Sequence, residues 1–240
     1  MRLQSVIRAI YPPQCVACDA QTEDDNGLCA ACWRETQFIS GLVCDTCGTP
    51  LPGEDHGEVV QCDDCMTIAR PWDRGRAALI YTGVGRRLVL GLKHGDRTDL
   101  ARPAAQWMAQ KLSKPSMLDT VLIPVPLHWV RVVKRRYNQS ALLAQELGKV
   151  VDLPVCVDAL LRPKKTNALE GHNREARFAE LSGAIVPNPK RVDQIVGKQV
   201  ILVDDVMTSG ATLAASAEAT KAAGATNVSI VTLARVVKDA

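Results

Sequence analysis

Eight of the nine cysteines stand in four Cys-x-x-Cys pairs within the first 70 residues: Cys15 and Cys18, Cys29 and Cys32, Cys44 and Cys47, Cys62 and Cys65. A two-residue spacer lets both sulfurs of a knuckle face one ion, so eight thiolates suffice for two tetrahedral tetrathiolate zinc sites. Sequential assignment gives Cys15, Cys18, Cys29 and Cys32 for one site and Cys44, Cys47, Cys62 and Cys65 for the other, while a cross-braced pairing uses the same spacing. Such sites are closed, with no open coordination position, which marks them as structural. The segments between the pairs are rich in Gly, Asp, Thr and Pro, so metal is expected to supply much of the folding energy here. His56 reads as a solvated loop residue, and Cys156, the lone cysteine, as a small buried hydrophobe.

Paired thiols remain metal ligands where the compartment is reducing. At the amino end Leu3, Val6, Ile7 and Ile10 are interrupted by Gln4, Ser5 and Arg8, too short and polar for a signal peptide, and no stretch approaches the ~20 apolar residues of a membrane span. A cytoplasmic protein is expected. Its net charge of +3 hides an asymmetry: residues 1–70 hold four Lys or Arg against eleven Asp or Glu, and residues 71–240 hold twenty-five against fifteen. The expected division is therefore a zinc module over 1–70, a candidate surface for protein partners, and a basic domain over 71–240 suited to a polyanionic ligand.

After Pro71 apolar strands alternate with helical patterns. Strands are expected over 76–82, 119–126, 198–204 and 228–234, and helices over 84–92, 100–112, 138–151 and 212–223. This alternation predicts an α/β fold, a mostly parallel sheet flanked by helices, with ligands at the carboxyl ends of the strands.

The strand from Lys198 is followed by Asp204 and Asp205, then by Thr208, Ser209, Gly210, Ala211 and Thr212 at the opening of a helix. Small residues let the backbone approach an anion, the helix amino terminus favours negative charge, and the hydroxyls add donors. Paired carboxylates just upstream accept from a diol, and phosphate plus vicinal diol describes ribose 5-phosphate. The P-loop and dinucleotide patterns are both absent. An ordinary strand-to-helix connection would leave two adjacent aspartates as an electrostatic cost.

These residues resemble the type I phosphoribosyltransferase signature, with Ser209 where Thr is common. The resemblance implies that Asp204 and Asp205, the catalytic candidates, contact ribose hydroxyls, and that Thr208 through Thr212 wrap the 5-phosphate of phosphoribosyl pyrophosphate, with Mg²⁺ as cofactor. Two further segments, Pro124 to Leu147 and Leu161 to Leu181, together with the cysteine module, resemble the ComF family, which joins a double zinc ribbon to a phosphoribosyltransferase domain. In the first, PVPLH-x-x-R is followed by Arg136, Tyr137, Asn138 and Gln139; the second is a basic, Thr-bearing stretch leading to Arg174 or Arg177. The best known members of that family are tied to DNA uptake in natural competence.

Read from the residues alone, Arg131, Lys134, Arg135 and Arg136 follow a strand that ends at the sheet's carboxyl edge and are candidates for a pyrophosphate. A solvated helix face or a nucleic-acid patch would show the same charges. The polar connection bearing Arg162, Lys164, Lys165, His172, Arg174 and Arg177 is long enough to be a lid loop, with Lys164, Lys165, Arg174 and Arg177 as its candidate contacts. Lys93 and His94 are weaker candidates and carry no assignment. Two functions follow: transfer of a phosphoribosyl group to an acceptor the sequence does not identify, and accessory binding of single-stranded DNA regulated by the same ligand. For the second, Trp107, Trp129 and Tyr137 are the aromatics available to stack bases.

Overall fold

The computed structural model describes residues 12–23, 27–112, 119–164, 178, 180–181 and 183–237, with Lys134 given by its backbone alone. Strands β1 (Arg74–Ile80), β2 (Thr120–Pro124), β5 (Gln199–Met207) and β6 (Asn227–Arg235) form a sheet in the order β1-β6-β5-β2, every neighbouring pair parallel. Strands β3 (Leu160–Leu161) and β4 (Val186–Pro187) pair antiparallel beside it. The helices are α1 (Ala30–Glu35), α2 (Asp63–Thr67), α3 (Gly83–His94), α4 (Ala101–Ala109), α5 (Trp129–Arg135), α6 (Gln139–Val151) and α7 (Ala211–Ala222). The expected α/β architecture is the observed one.

Strand alternation sorts the interior into two layers. Val200 and Leu202 of β5 face one side, where they pack with Leu213, Ala214 and Ala217 of α7; Ile201 and Val203 face the other, among Leu88, Ala105, Leu143 and Leu147 of α3, α4 and α6. A sheet covered on both faces requires strands that are apolar throughout, and every residue of β2 is buried. Each fully buried Leu or Val contributes about 1.5–3 kcal/mol relative to exposure.

The cysteine-rich part does not stand apart from this sheet. Its backbone covers the free edge of β1, where Ile39 N donates to Ala78 O at 2.9 Å, Ile80 N to Gln37 O at 2.9 Å and Gly75 N to Asp45 O at 2.8 Å. Covering an edge strand removes a template for aggregation. Cys15 and Cys32 join the layer of α3, α4 and α6, whereas Cys44, Cys47 and Cys65 join the layer of α7. Gly75 is required at the crossing, because a Cβ there would collide with the Thr46 carbonyl.

Several boundaries differ from expectation. Strand β5 does not stop at Asp204: pairing with β6 continues through Asp204 with Thr232, Val206 with Ala234 and Met207 with Arg235, since nothing before Thr208 interrupts the ladder. Helix α4 is shorter than expected, with residues 98–100 as a 3₁₀ turn ahead of it, whereas α3 reaches His94. Helix α5 has no counterpart among the expected elements; it starts at His128, whose Nδ1 accepts from Val130 N at 3.3 Å. Among the described residues no helix is long and apolar enough to cross a membrane.

Candidate functional site

At the carboxyl ends of β2 and β5 a cavity of about 310 Å³ opens. One wall is the turn Thr208–Thr212, another the carboxylates Asp204 and Asp205, and facing them are Lys93, Arg131, Arg135, Gln139, Ser140 and Arg162. Helix α7 begins at Gly210, which has φ of +82°, a conformation that a side chain would strain. There is also no space for a side chain: a Cβ would lie 2.8 Å from Met207 Cε and 3.2 Å from the Trp72 ring. The Ser209 hydroxyl accepts from Ala211 N at 3.4 Å. Among the described residues the amides of Thr208, Ser209, Gly210 and Thr212 donate to no protein acceptor. Unpaired amides at a helix start on a cavity wall form an anion-binding concavity.

The two aspartates are not equivalent. Asp204 accepts from Ser140 Oγ at 2.8 Å and from the Asp205 amide at 2.9 Å. Burial, followed by the neighbouring Asp205 carboxylate, pushes its pKa up to about 7, against the opposing pull of Ser140 and Lys93. Asp205 is buried and pairs with Lys93, Nζ to Oδ1 at 3.1 Å. One carboxyl near neutrality and one ion-paired carboxylate suit a ligand that brings both hydroxyls and charge to the same place.

Opposite stand the cations. Arg131 and Arg135, one turn apart on α5, share the face toward the cavity, and Arg162 is buried there after β3. Burial lowers the pKa of both Arg135 and Arg162; the Asp205 carboxylate counters it at Arg135, whereas nearby Arg131 adds to it at Arg162. Guanidinium groups held this close and half dry are relieved by an anion between them.

The expected site residues divide accordingly. Asp204, Asp205 and Thr208 through Thr212 line one cavity with Arg131 and Arg135. Arg136 does not. It caps α5 in a left-handed conformation with its side chain 82% exposed, 3.7 Å from Asp96, because a helix end turns the next side chain off the shared face. Lys164 is exposed and off the cavity wall. The side chain of Lys134, and Lys165, Arg174 and Arg177 of the expected lid loop, lie outside the described residues. Of the expected stacking aromatics, Trp107 is buried and the Tyr137 hydroxyl donates to Leu92 O at 2.7 Å, leaving Trp129 exposed. Lys93 went unassigned, although a lysine in the last turn of a helix preceding Gly95 was a visible signal. Gln139 was named only within the family pattern and Arg162 only within the polar connection, neither as a cavity residue, and Ser140 carried no signal of its own.

The thiols resolve into the sequential sets. Sulfurs of Cys15, Cys18, Cys29 and Cys32 lie within 4.8 Å of one another, as do those of Cys44, Cys47, Cys62 and Cys65. The contacts of 3.6 Å between Cys18 and Cys29 and between Cys47 and Cys62 match the ~3.8 Å edge of a tetrahedron built on Zn–S bonds of about 2.3 Å. Both sets therefore fit structural zinc. The adjoining Cys44, with the Arg235 guanidinium and Thr49, holds the Cys47 thiol below its ordinary range, which favours the thiolate that a zinc site needs.

Residues 6–66 match the family model of a double zinc ribbon domain, and residues 99–239 match that of the phosphoribosyl transferase domain. Among curated relatives, Competence protein F of Haemophilus influenzae is 28% identical over 215 residues, covering 88% of this chain and 91% of its own. DNA utilization protein YhgH of Escherichia coli K12 is 27% identical over 216 residues, covering 87% and 90%. Competence protein ComFC of Streptococcus pneumoniae is 24% identical over 214 residues, covering 88% and 89%.

Proposed function

The chain belongs to the phosphoribosyl transferase domain family, with a double zinc ribbon ahead of that domain as in the ComF family, and from this premise we propose that its cavity binds phosphoribosyl pyrophosphate or a similar ribose phosphate. The observation that carries the reading is the meeting of the amide-lined turn, two aspartates and a cluster of cations on one cavity of about 310 Å³. In it the turn Thr208–Thr212 receives the 5-phosphate, Asp204 and Asp205 accept from the ribose hydroxyls, and Lys93, Arg131, Arg135 and Arg162 face the pyrophosphate. The oxygen-rich aspartate end suits Mg²⁺, which when bound with the ligand supplies neutralisation of pyrophosphate charge. If the group is transferred, positive charge developing at the anomeric carbon is stabilised by the fixed aspartates.

The test is calorimetric titration of phosphoribosyl pyrophosphate with Mg²⁺ into the wild type and into the double variant Asp204→Asn, Asp205→Asn. Binding is expected in the first and none in the second, with zinc content unchanged. Equal affinity in both would remove the case for ribose recognition. Pyrophosphate release in the presence of bases, nucleic acids or cell extract then separates a catalyst from a binder.

A second reading, binding of single-stranded DNA under control of the ribose phosphate, has its own support in Trp129, 66% exposed and two residues from Arg131. The names of the relatives, competence and DNA utilization, support the same setting of DNA uptake or handling. Binding of this kind weakens with salt, with a slope of about 0.7 per phosphate contact.

A further inference from the structure

Arg70 contacts the phosphate turn and is not among the residues that line the cavity. Its Nη1 donates to the Ser209 carbonyl at 2.8 Å. A trans peptide is planar, with its carbonyl and the following N–H pointing in opposite directions. Holding the Ser209 carbonyl therefore turns the Gly210 N–H away from Arg70, which is off the cavity wall, while Gly210 itself lines the cavity. The donor is a cation, so it also polarises the peptide and makes that N–H a stronger donor to an anion.

The arginine is itself held in place. Its guanidinium sits 5.5 Å from the Trp72 ring centroid and 6.0 Å from that of Phe178. Trp72 is buried, and its Nε1 donates to the carbonyl of Thr46 at 2.6 Å, between Cys44 and Cys47 of the second cysteine set. Both residues press on the turn at one point: a Cβ on Gly210 would lie 3.1 Å from Arg70 Nη1 and 3.2 Å from the Trp72 ring. A short strap thus runs from the second cysteine knuckle through Trp72 and Arg70 to the Ser209–Gly210 peptide.

We infer that Arg70 is a positioning residue for the anion-binding turn, fixing the Ser209–Gly210 peptide so that its N–H faces the ligand phosphate. This rests on the ribose-phosphate reading of the cavity. Arg70 touches no ligand atom in this account. Its effect passes through one peptide plane, and its own position depends on the second cysteine set rather than the first.

The test compares full-length wild type, R70M, which keeps the apolar stem beside Trp72, and R70K, which keeps the charge. Each is titrated calorimetrically with phosphoribosyl pyrophosphate and Mg²⁺, alongside its melting temperature, zinc content and the Gly210 amide signal in proton–nitrogen correlation spectra. R70M should bind about tenfold more weakly because the peptide is no longer held, with zinc content retained and the melting temperature lowered by only a few degrees, as expected for loss of one hydrogen bond. Its Gly210 amide should lose the downfield movement that ligand produces in the wild type, and R70K should recover part of both. Wild-type affinity and an unchanged Gly210 response in R70M overturn the inference. So does a loss of affinity that accompanies lower melting temperature and zinc content in both variants while the Gly210 response persists. If R70M does not fold, R70A, which likewise has no donor, takes its place under the same criteria. A wild type that fails to bind removes the ribose-phosphate reading itself, a result separate from equal binding by wild type and variant.

Discussion

Lys93 Nζ stands 3.1 Å from Asp205 Oδ1, joining the last turn of α3 to the end of β5, with the two side chains 19% and 8% exposed. Neither charge is well solvated, so removing one deprives the other of its nearest counter-charge, although Asp205 keeps the more distant Arg135. K93M is expected to cost about 2 kcal/mol of unfolding free energy, below the range for fully buried pairs because the lysine keeps some exposure. D205N should then cost less in the K93M background than in the wild type. Urea unfolding of the four proteins measures the coupling, expected at about 1 kcal/mol or more. Additive costs would show that the contact contributes nothing to stability.

Asp204 carries a second prediction, with a sign opposite to that of most carboxylates. Its folded pKa, pushed to about 7 from the ordinary 3.8, means that the folded protein holds a proton the unfolded chain has lost. Its contribution to stability is present below about pH 4 and declines as pH rises toward 7. The ionised carboxylate accepts from ribose hydroxyls more strongly than the acid does, so affinity should fall as pH drops below about 7, by at most about tenfold per pH unit, with a proton released on binding. The phosphate of the ligand also titrates, near pH 6. S140A separates the two, because loss of the Ser140 hydrogen bond raises the Asp204 value and moves the midpoint to higher pH. Calorimetry in buffers of different ionisation enthalpy reads both; a midpoint unmoved in S140A assigns the titration to the ligand.

The parts of this site that were legible in the sequence are those built by local pattern. The apolar strand, the acid pair and the small-residue turn follow one another in the chain, so period and residue type sufficed for Asp204 through Thr212. Lys93 reaches Asp205 only because β6 and β5 lie between β1 and β2 in the sheet, an order that strand patterns do not encode. Helix α5 was hidden because its seven residues are too few to establish a period. Without that helix, Arg136 could not be told from Arg131 and Arg135, which share a face only at helical spacing. The edge-to-edge docking of the cysteine knuckles on β1 was hidden as well, since turn-rich segments reveal neither register nor partner.

Metal loss should proceed in two steps. Cys18 is exposed, whereas Cys44, Cys47 and Cys65 are buried in the layer that holds Trp72, Met207 and Leu213. A chelator reaches the first set directly and the second only through local opening. Zinc release followed with a chromogenic chelator is expected to be biphasic. C18S should remove the fast phase alone, and a single phase, or loss of the slow one in C18S, would contradict this order.

Gln139 completes the cavity wall and gives the most discriminating prediction. It is 1% exposed at the first turn of α6, and among the described residues its Nε2 has no hydrogen-bond partner. A buried amide left without a partner costs about 1–3 kcal/mol, while a methionine of similar shape carries no such cost. Q139M should therefore stabilise the empty protein by about 1 kcal/mol, raising its melting temperature by about 3 °C. Gln139 lines the cavity, and if a ligand oxygen reaches this amide the variant should bind phosphoribosyl pyrophosphate about tenfold more weakly. Stability and affinity move in opposite directions only if the amide is kept unpaired for a ligand. A Q139M protein that melts lower and binds as well as the wild type would mean that the partner of this amide belongs to the protein.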